Sequence, residues 1–190
     1  MNYRVLIAAT LVAAVAHASE VDPKLPQPWF KNGQPPAAEQ CEAGVDAQLE
    51  ARGTRNITLK CEAEHEGFVG AMQYFSAEKY RGQRIRFSAL IKAEGVEGWG
   101  GIWMRVDDVD KPGTSFDNMQ NRPAKGTADW TPYAIVLDVS DNAAGIYFGT
   151  LTSGKGQLWI TDLRFEVVGT DVPVTSPKMT DSPGNLTLTR

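Results

Sequence analysis

From Tyr80 to Val168, polar and apolar residues alternate segment after segment, and tryptophans recur near the segment ends. A period of two sends successive side chains to opposite faces of an extended strand, one set inward and the other toward water. The alternation predicts strands at 42–50, 55–62, 68–76, 83–93, 98–106, 131–139, 144–151 and 157–168. Gly53, Gly67, Gly82, Gly95 with Gly98, Gly145, and Gly154 with Gly156 separate them, as turns between strands require. Ile85, Phe87, Ala89 and Ile91 form the apolar face of the fourth strand, opposite Arg84, Arg86, Ser88 and Lys92. On the last strand Leu158, Ile160, Leu163, Phe165 and Val167 are expected in the core, with a change of phase at Thr161-Asp162 that predicts a bulge. Short strands, regular turn signals and no helical stretch predict an all-β, antiparallel two-sheet β-sandwich in a single domain.

The ends read differently. Arg4, the apolar stretch from Val5 to Ala16 and the small-x-small triplet Ala16-His17-Ala18 have the form of a secretory signal over residues 1–18. That stretch falls short of the ~20 residues that cross a bilayer as a helix, and no cysteine follows it to carry a lipid. The chain is therefore expected to be periplasmic or secreted, without a membrane anchor. Residues 19–40 hold five prolines and form an N-terminal arm, in which Trp29-Phe30 is apolar enough to dock on the sandwich. The sandwich spans 41–168. The Thr/Ser/Pro-rich tail at 169–190 reads as loose, with Leu186 and Thr187 able to pair at an edge. Asp107 to Asp129 is the one long irregular stretch, interrupted by a short strand around Ser115 to Met119, and loops of such length are often functional.

Charge narrows the partners. The 190-residue chain carries 19 basic and 23 acidic residues, a net of −4, and its Lys and Arg are spread along the strands. Nucleic acids and anionic membranes select clustered positive charge, so neither is an expected partner. Cys41 and Cys61 are the only cysteines. In an oxidising compartment a disulfide is the first expectation. A tight hairpin turn at 52–54, however, places Cys61 opposite residue 45, an offset of roughly 13 Å at the strand rise. A bridge needs Cα atoms within about 7 Å. A bulge or a longer loop would close the gap; otherwise the pair are two buried thiols.

Four strings in the second half resemble a known kind of domain: GWGGIWMRVD, FDNMQNRP, DWTPYAIVLDV and GQLWITDLRFEVV, within residues 98–168. They are similar to a β-sandwich found in bacterial secreted proteins, and also beside helix-turn-helix modules of arabinose-regulator-type transcription factors. The resemblance implies a jelly roll of the galactose-binding or carbohydrate-binding-module kind, with a habit of binding ligands. It also implies a structural calcium near the final strand, where Asp162 in WITDLRFE matches; read from the residues alone, Asp46 is a candidate oxygen ligand beside it. This chain departs from the regulators in carrying a leader and no helix-turn-helix.

The candidate ligand-binding residues are Trp99, Arg105, Asp117, Asn118, Arg122 and Trp130. An exposed indole offers a sugar a flat apolar face with a polar handle. Trp99, between glycines, and Trp130, after the long stretch, are expected to be more accessible than Trp103 or Trp159. The opposing reading packs all four in the core. Asp117, Asn118, Arg122 and Arg105 are the densest polar group, suited to hydroxyls or a carboxylate. Alternatively Arg122 pairs with Asp117 or Asp107 to fix the loop. Asp107, Asp108 and Asp110 are either calcium ligands or turn caps. For catalysis, His65 is the only histidine past the leader, and no nucleophile elbow, zinc motif or phosphate loop occurs. The expectation is an exported, non-catalytic domain that binds a carbohydrate or cell-envelope glycan. Its rivals are a structural or protein-interaction sandwich, and a glycoside hydrolase working through paired loop carboxylates.

Overall fold

A computed structural model describes residues 21–22, 24–51 and 53–176. The expected leader at 1–18 and the expected Leu186-Thr187 pairing lie outside them. The chain runs β1 (Val21–Asp22), β2 (Phe30–Gly33), a one-turn helix α1 (Ala37–Gln40), β3 (Glu42–Ala51), β4 (Thr54–Cys61) and β5 (Val69–Ser76). It continues through β6 (Arg84–Asp108), β7 (Ser115–Asp117), β8 (Ala124–Asp138), β9 (Ala143–Ser153) and β10 (Gly156–Val168). Every pairing is antiparallel. Among the described residues no helix is long and apolar enough to cross a membrane.

The two strands predicted at 83–93 and 98–106 are one strand of 25 residues, and it builds both layers. Its first half lies between β10 and β8, completing the layer β1-β3-β4-β10-β6-β8. Its second half lies between β9 and β7, completing β2-β5-β9-β6-β7. Gly95 and Gly98, expected to be a turn, sit where the strand passes from one layer to the other. A Cβ on Gly98 would stand 2.1 Å from the Ser153 carbonyl oxygen, so only glycine permits this crossing. The result is an antiparallel two-layer jelly roll.

Alternation places the core as expected. Ile85, Phe87, Ile91, Ile102, Met104, Ile135, Leu137, Ile146, Leu158 and Ile160 are fully buried between the layers. Phe75, Tyr80, Phe148 and Phe165 add an edge-to-face cluster, with Phe87 and Phe148 centroids 4.9 Å apart. The arm docks through Trp29, whose ring meets Phe148 edge-on at 5.6 Å, and through β2 pairing with β5. The bulge predicted near Thr161-Asp162 is present, between Thr161 and Arg164. It turns Leu163 outward, and Val167, one pair from the strand end, is also exposed, so neither belongs to the core.

The long loop is shorter than predicted. β7 occupies Ser115–Asp117, and β8 begins at Ala124 instead of 131, pairing Gly126 with Val96 and Ala124 with Gly100. The start of the tail is docked: Thr175 bonds Val136 through its backbone N–H and its hydroxyl, while Arg84 holds Asp138 and the carbonyls of Thr170 and Val172.

Cys41 and Cys61 form a disulfide with Cα atoms 4.6 Å apart. The hairpin turn is where the sequence places it, with Ala51 opposite Thr54. The register then slips: Glu50 faces Arg55, but Asp46 faces Asn56. Residues 47–49 are the excess on β3, and their insertion carries Cys41 back to the level of Cys61.

Candidate functional site

Odd-numbered residues in the second half of β6 point away from the core, because Ile102, Met104 and Val106 point into it. The face they build is concave. Across the order β2-β5-β9-β6-β7, the register sets Tyr74 beside Tyr147, Tyr147 beside Arg105, and Arg105 beside Phe116. Phe30 meets Tyr74 edge-on at 6.1 Å, Tyr74 and Tyr147 stack at 5.5 Å, and the Arg105 guanidinium lies 4.6 Å from the Tyr147 centroid. These form one continuous wall of rings. The next row runs Met72, Gly149, Trp103 and, past the end of β7, Asn118. Gly149 contributes no side chain, and a Cβ there would stand 2.2 Å from the Ala71 carbonyl oxygen, so the floor stays open between Met72 and Trp103.

The rows enclose a cleft of about 500 Å³, floored by Trp103 and Leu151 and flanked by Trp99, Asn32, Asn118 and Phe68. Trp99 and Asn118 also line a second cavity of about 400 Å³ with Gln120 and Lys125, and Tyr74 and Tyr147 line a third of about 530 Å³ with Asp110 and Lys111. The three hollows therefore follow one another along the strands. Trp99 to Asp107 is eight strand steps, roughly 26 Å. Trp103 is 7% exposed, while Tyr74 is 61% exposed.

Polar groups in this wall lack protein partners. The Trp103 Nε1 and the Asn32 Oδ1 are buried without a hydrogen bond. Asn118 Oδ1 accepts the Gln120 N–H at 3.2 Å, which fixes its amide at the cleft edge. Arg105 donates from Nη2 to Asp107 at 2.8 Å; its Nε is 2.8 Å from the other carboxylate oxygen but too poorly aligned to bond. One unmet donor, one unmet acceptor and one amide inside an apolar cleft are what a polyhydroxylated ligand satisfies.

Of the residues singled out from sequence, Trp99, Arg105 and Asn118 line the cleft. Asp117, Arg122 and Trp130 do not. Asp117 is 5% exposed on the opposite face of β7, accepting from Arg122 at 2.7 and 3.1 Å and from the Met119 N–H at 2.8 Å. Arg122 goes on to the Ala134 carbonyl. The pair is thus the loop-fixing network, stapling residues 117–122 to β8 and holding Met119, whose carbonyl accepts the Trp99 indole N–H at 3.4 Å. Burial alone would raise the Asp117 carboxyl, but hydrogen bonds from Arg122, Thr175 and the Met119 N–H outweigh it and hold it below the ordinary carboxylate range. Its stabilising contribution is therefore present above the unfolded value near 3.9 and is lost as pH falls through the lower folded value. Asp117→Ala is expected to cost roughly 1.5–3 kcal/mol at neutral pH. That deficit should begin to shrink as pH falls below about 4, when melting is followed by circular dichroism against pH.

Trp130 stands on β8, in the other layer. Trp159 is buried on that layer too, its Nε1 donating to Asp46 at 2.7 Å and its ring 5.4 Å from Lys92 Nζ. Both oxygens of Asp46 accept N–H donors, Trp159 and the Leu49 backbone, and both oxygens of Asp162 accept from Arg164. An arrangement already bonded to N–H groups does not fit a calcium cage, which needs six or more oxygens turned to one point. Asp107, Asp108 and Asp110 serve the turn: Asp107 takes the Gly113 N–H, Asp108 takes Thr114 and Ser140, and Asp110 takes Asn142.

Sequence reading missed Phe30, Asn32, Met72, Tyr74, Phe116, Tyr147 and Leu151 and left Trp103 out of the ligand-binding set, although its expectation that Trp99 and Trp130 are more accessible than Trp103 and Trp159 holds. The parity of 99, 103 and 105 was available to put Trp103 on the Trp99 face.

The fold is a two-layer jelly roll that carries a concave, aromatic-lined face. Among solved structures the chain is similar to the CBM22-1–GH10 modules of endo-1,4-β-D-xylanase 10B from Clostridium thermocellum, with TM-score 0.55 and 14% identity over 77% of this chain and 27% of that one. It is also similar to the C-terminal family 22 carbohydrate binding module of the same xylanase, at 0.52 and 15% over 83% and 96%. The enzymatically active domain of tailspike protein 4 of bacteriophage CBA120 matches at 0.55 and 12%, over 74% and 19%. At such identities the likeness is one of fold. In sequence, the chain is 41% identical over 160 residues to the uncharacterized HTH-type transcriptional regulator YbfP of Bacillus subtilis (strain 168). The match takes in 83% of this chain and 52% of the regulator, so the chain spans about half of that relative's length. No protein-family model matches.

Proposed function

We propose that this chain is an exported, non-catalytic domain that binds a carbohydrate or cell-envelope glycan in the cleft of β2-β5-β9-β6-β7. One observation carries the reading: an open trough lined by Trp99, Trp103, Tyr74 and Tyr147 contains unmet polar atoms on Trp103 and Asn32, with the Asn118 amide beside them. Aromatic faces stack on the apolar faces of sugar rings, and the polar atoms fix hydroxyls. The leader-like residues 1–18 support export, and the solved neighbours named as carbohydrate-binding modules share the fold. The described residues lining the central cleft include no carboxylate, whereas glycoside hydrolysis needs two flanking the bond, which favours binding without chemistry.

The relationship to YbfP fits the same reading. A helix-turn-helix needs two helices, and the described residues hold one four-residue helix and one 3₁₀ turn. The segment shared with YbfP, about half of that relative's length, is on this reading a binding module, and the helix-poor described residues support that over a helix-turn-helix role for this chain.

The test is a titration of the purified chain with soluble xylan, galactan, glucan and peptidoglycan fragments, followed by calorimetry and tryptophan emission. Saturable binding of at least one, with an emission change lost on Trp99→Ala, is expected. Flat traces for all of them, with indoles that stay unquenchable, would favour the structural or protein-interaction reading instead. Because Asp46 and Asp162 are satisfied by N–H groups, chelation with EGTA is expected to leave binding and melting temperature unchanged, as checked by scanning calorimetry.

A further inference from the structure

A cluster outside the cleft has a chemistry of its own. Cys41 opens β3, Cys61 ends β4, and His65 lies four residues on in the following turn. Their two Sγ atoms and a ring nitrogen all lie within 4.8 Å of one another, with both cysteines buried and the histidine half-buried.

The hydrogen bonding of His65 makes the arrangement directional. Its Nδ1 lies 2.6 Å from the Ala63 carbonyl oxygen, a contact that requires the proton on Nδ1. In the neutral ring Nε2 then carries a lone pair, and that lone pair faces Cys41 Sγ at 2.6 Å. A disulfide sulfur has no proton to give. With the bridge closed, Nε2 stands beside a sulfur that cannot donate to it; with the bridge open it would face a thiol. Anchoring one imidazole nitrogen on a carbonyl while the other faces a thiol is how proteins orient histidine as a metal ligand.

We propose that Cys41, Cys61 and His65, once the disulfide is reduced, bind one thiophilic divalent cation of the zinc type. Opening the bridge lets the sulfurs part. With metal–sulfur bonds near 2.3 Å and metal–nitrogen bonds near 2.0 Å, tetrahedral ligands stand roughly 3.3–3.8 Å apart, within reach of these atoms. Three protein ligands leave a fourth position to water. Binding displaces both thiol protons to solvent, and the neutral imidazole gives its Nε2 lone pair. Thiol–disulfide exchange with a small-molecule disulfide, which takes the two electrons and leaves as two thiols, re-forms the Cys41–Cys61 S–S bond and releases the ion, so the same residues serve as a covalent clasp in an oxidising medium and as a metal site in a reducing one.

The experiment begins with a water-soluble phosphine under nitrogen. The phosphine takes an oxygen atom from water as the phosphine oxide, and the two remaining hydrogens protonate Cys41 and Cys61; a thiol assay confirms two thiols per chain. After removal of the phosphine, Co²⁺ is titrated as a spectroscopic stand-in. The expected result is a thiolate-to-cobalt charge-transfer band with tetrahedral visible bands, saturating at one ion per chain and erased by Zn²⁺. The unreduced protein should show neither, and His65→Ala, at a half-exposed position that carries no core, should bind at least about tenfold more weakly. No saturable band in the fully reduced protein overturns the proposal, as does His65→Ala titrating like the wild type, or equal uptake by the oxidised form. Should reduction abolish the β signal in circular dichroism, its return with Zn²⁺ supports the site, and failure to return together with a missing cobalt band overturns it.

Discussion

Trp103→Ala is expected to weaken saccharide binding by about 2–3 kcal/mol, roughly 30- to 150-fold in Kd. The magnitude follows from position. Trp103 is the most enclosed ring of the cleft, between the Asn118 end and the gap over Gly149, so a ligand settling on it loses its water on both sides. Its Nε1 is also a buried donor without a partner, and a hydroxyl reaching it would gain the full contrast between a met and an unmet group. Truncating a nearly buried indole also destabilises the fold by about 3–5 kcal/mol, so affinity must be compared below the melting range of the variant. Trp103→Phe separates the two effects: it keeps most of the packing and the stacking face and removes only the donor. Calorimetric titration should give a loss for Trp103→Phe intermediate between wild type and Trp103→Ala. Trp130→Ala, in the other layer, should bind as the wild type does. A loss confined to Trp130→Ala would remove the cleft from the argument altogether.

That control shows how far the sequence reaches. Period-two alternation reveals which side chains of one strand share a face, and it reveals nothing about which strands are neighbours. Ile85 to Ile91 and Ile102 to Val106 could be assigned inward from the chain alone, and Trp99 and Arg105 outward with them. Tyr74, Tyr147 and Phe30 could not join them, because β2, β5, β9 and β6 meet only through long-range pairing that no local signal specifies. The strand β6 itself was obscured for a local reason. Glycine serves as a turn former, as a residue free to take a positive φ inside a strand, and as one that admits a close backbone crossing; Gly95 does the second and Gly98 the third. The polar cluster at 117–122 carried the opposite ambiguity. A carboxylate, an amide and a guanidinium suit either a ligand or each other, and burial of Asp117 at β7 decides for the latter in two of the three residues, leaving Asn118 to the cleft.

Removing the disulfide, as Cys41→Ala with Cys61→Ala, is expected to lower stability by about 3 kcal/mol, or roughly 6–12 °C in Tm for a domain of this size. The bridge closes a sequence separation of 20 residues, and the loss of chain freedom it imposes on the unfolded state sets that figure. Local geometry makes the effect reach beyond the cross-link. On the far side of the β3 bulge only Glu42 to Asp46 pair with β4, and the three excess residues interrupt the ladder between them and the hairpin turn. The disulfide therefore anchors a short ladder segment that its own turn does not hold in register. Asp46 belongs to that segment, and it takes the Trp159 indole N–H from β10, so slippage there would uncouple β3 from the centre of its layer. Hydrogen exchange of the Ala43 to Asp46 amides should accelerate more than that of the Ile102 to Val106 amides in the double variant. Reduction of the wild type with phosphine, in chelator to keep metal away from the freed thiols, should reproduce the melting shift. A double variant that melts with the wild type would mean that β3 holds its register through packing alone.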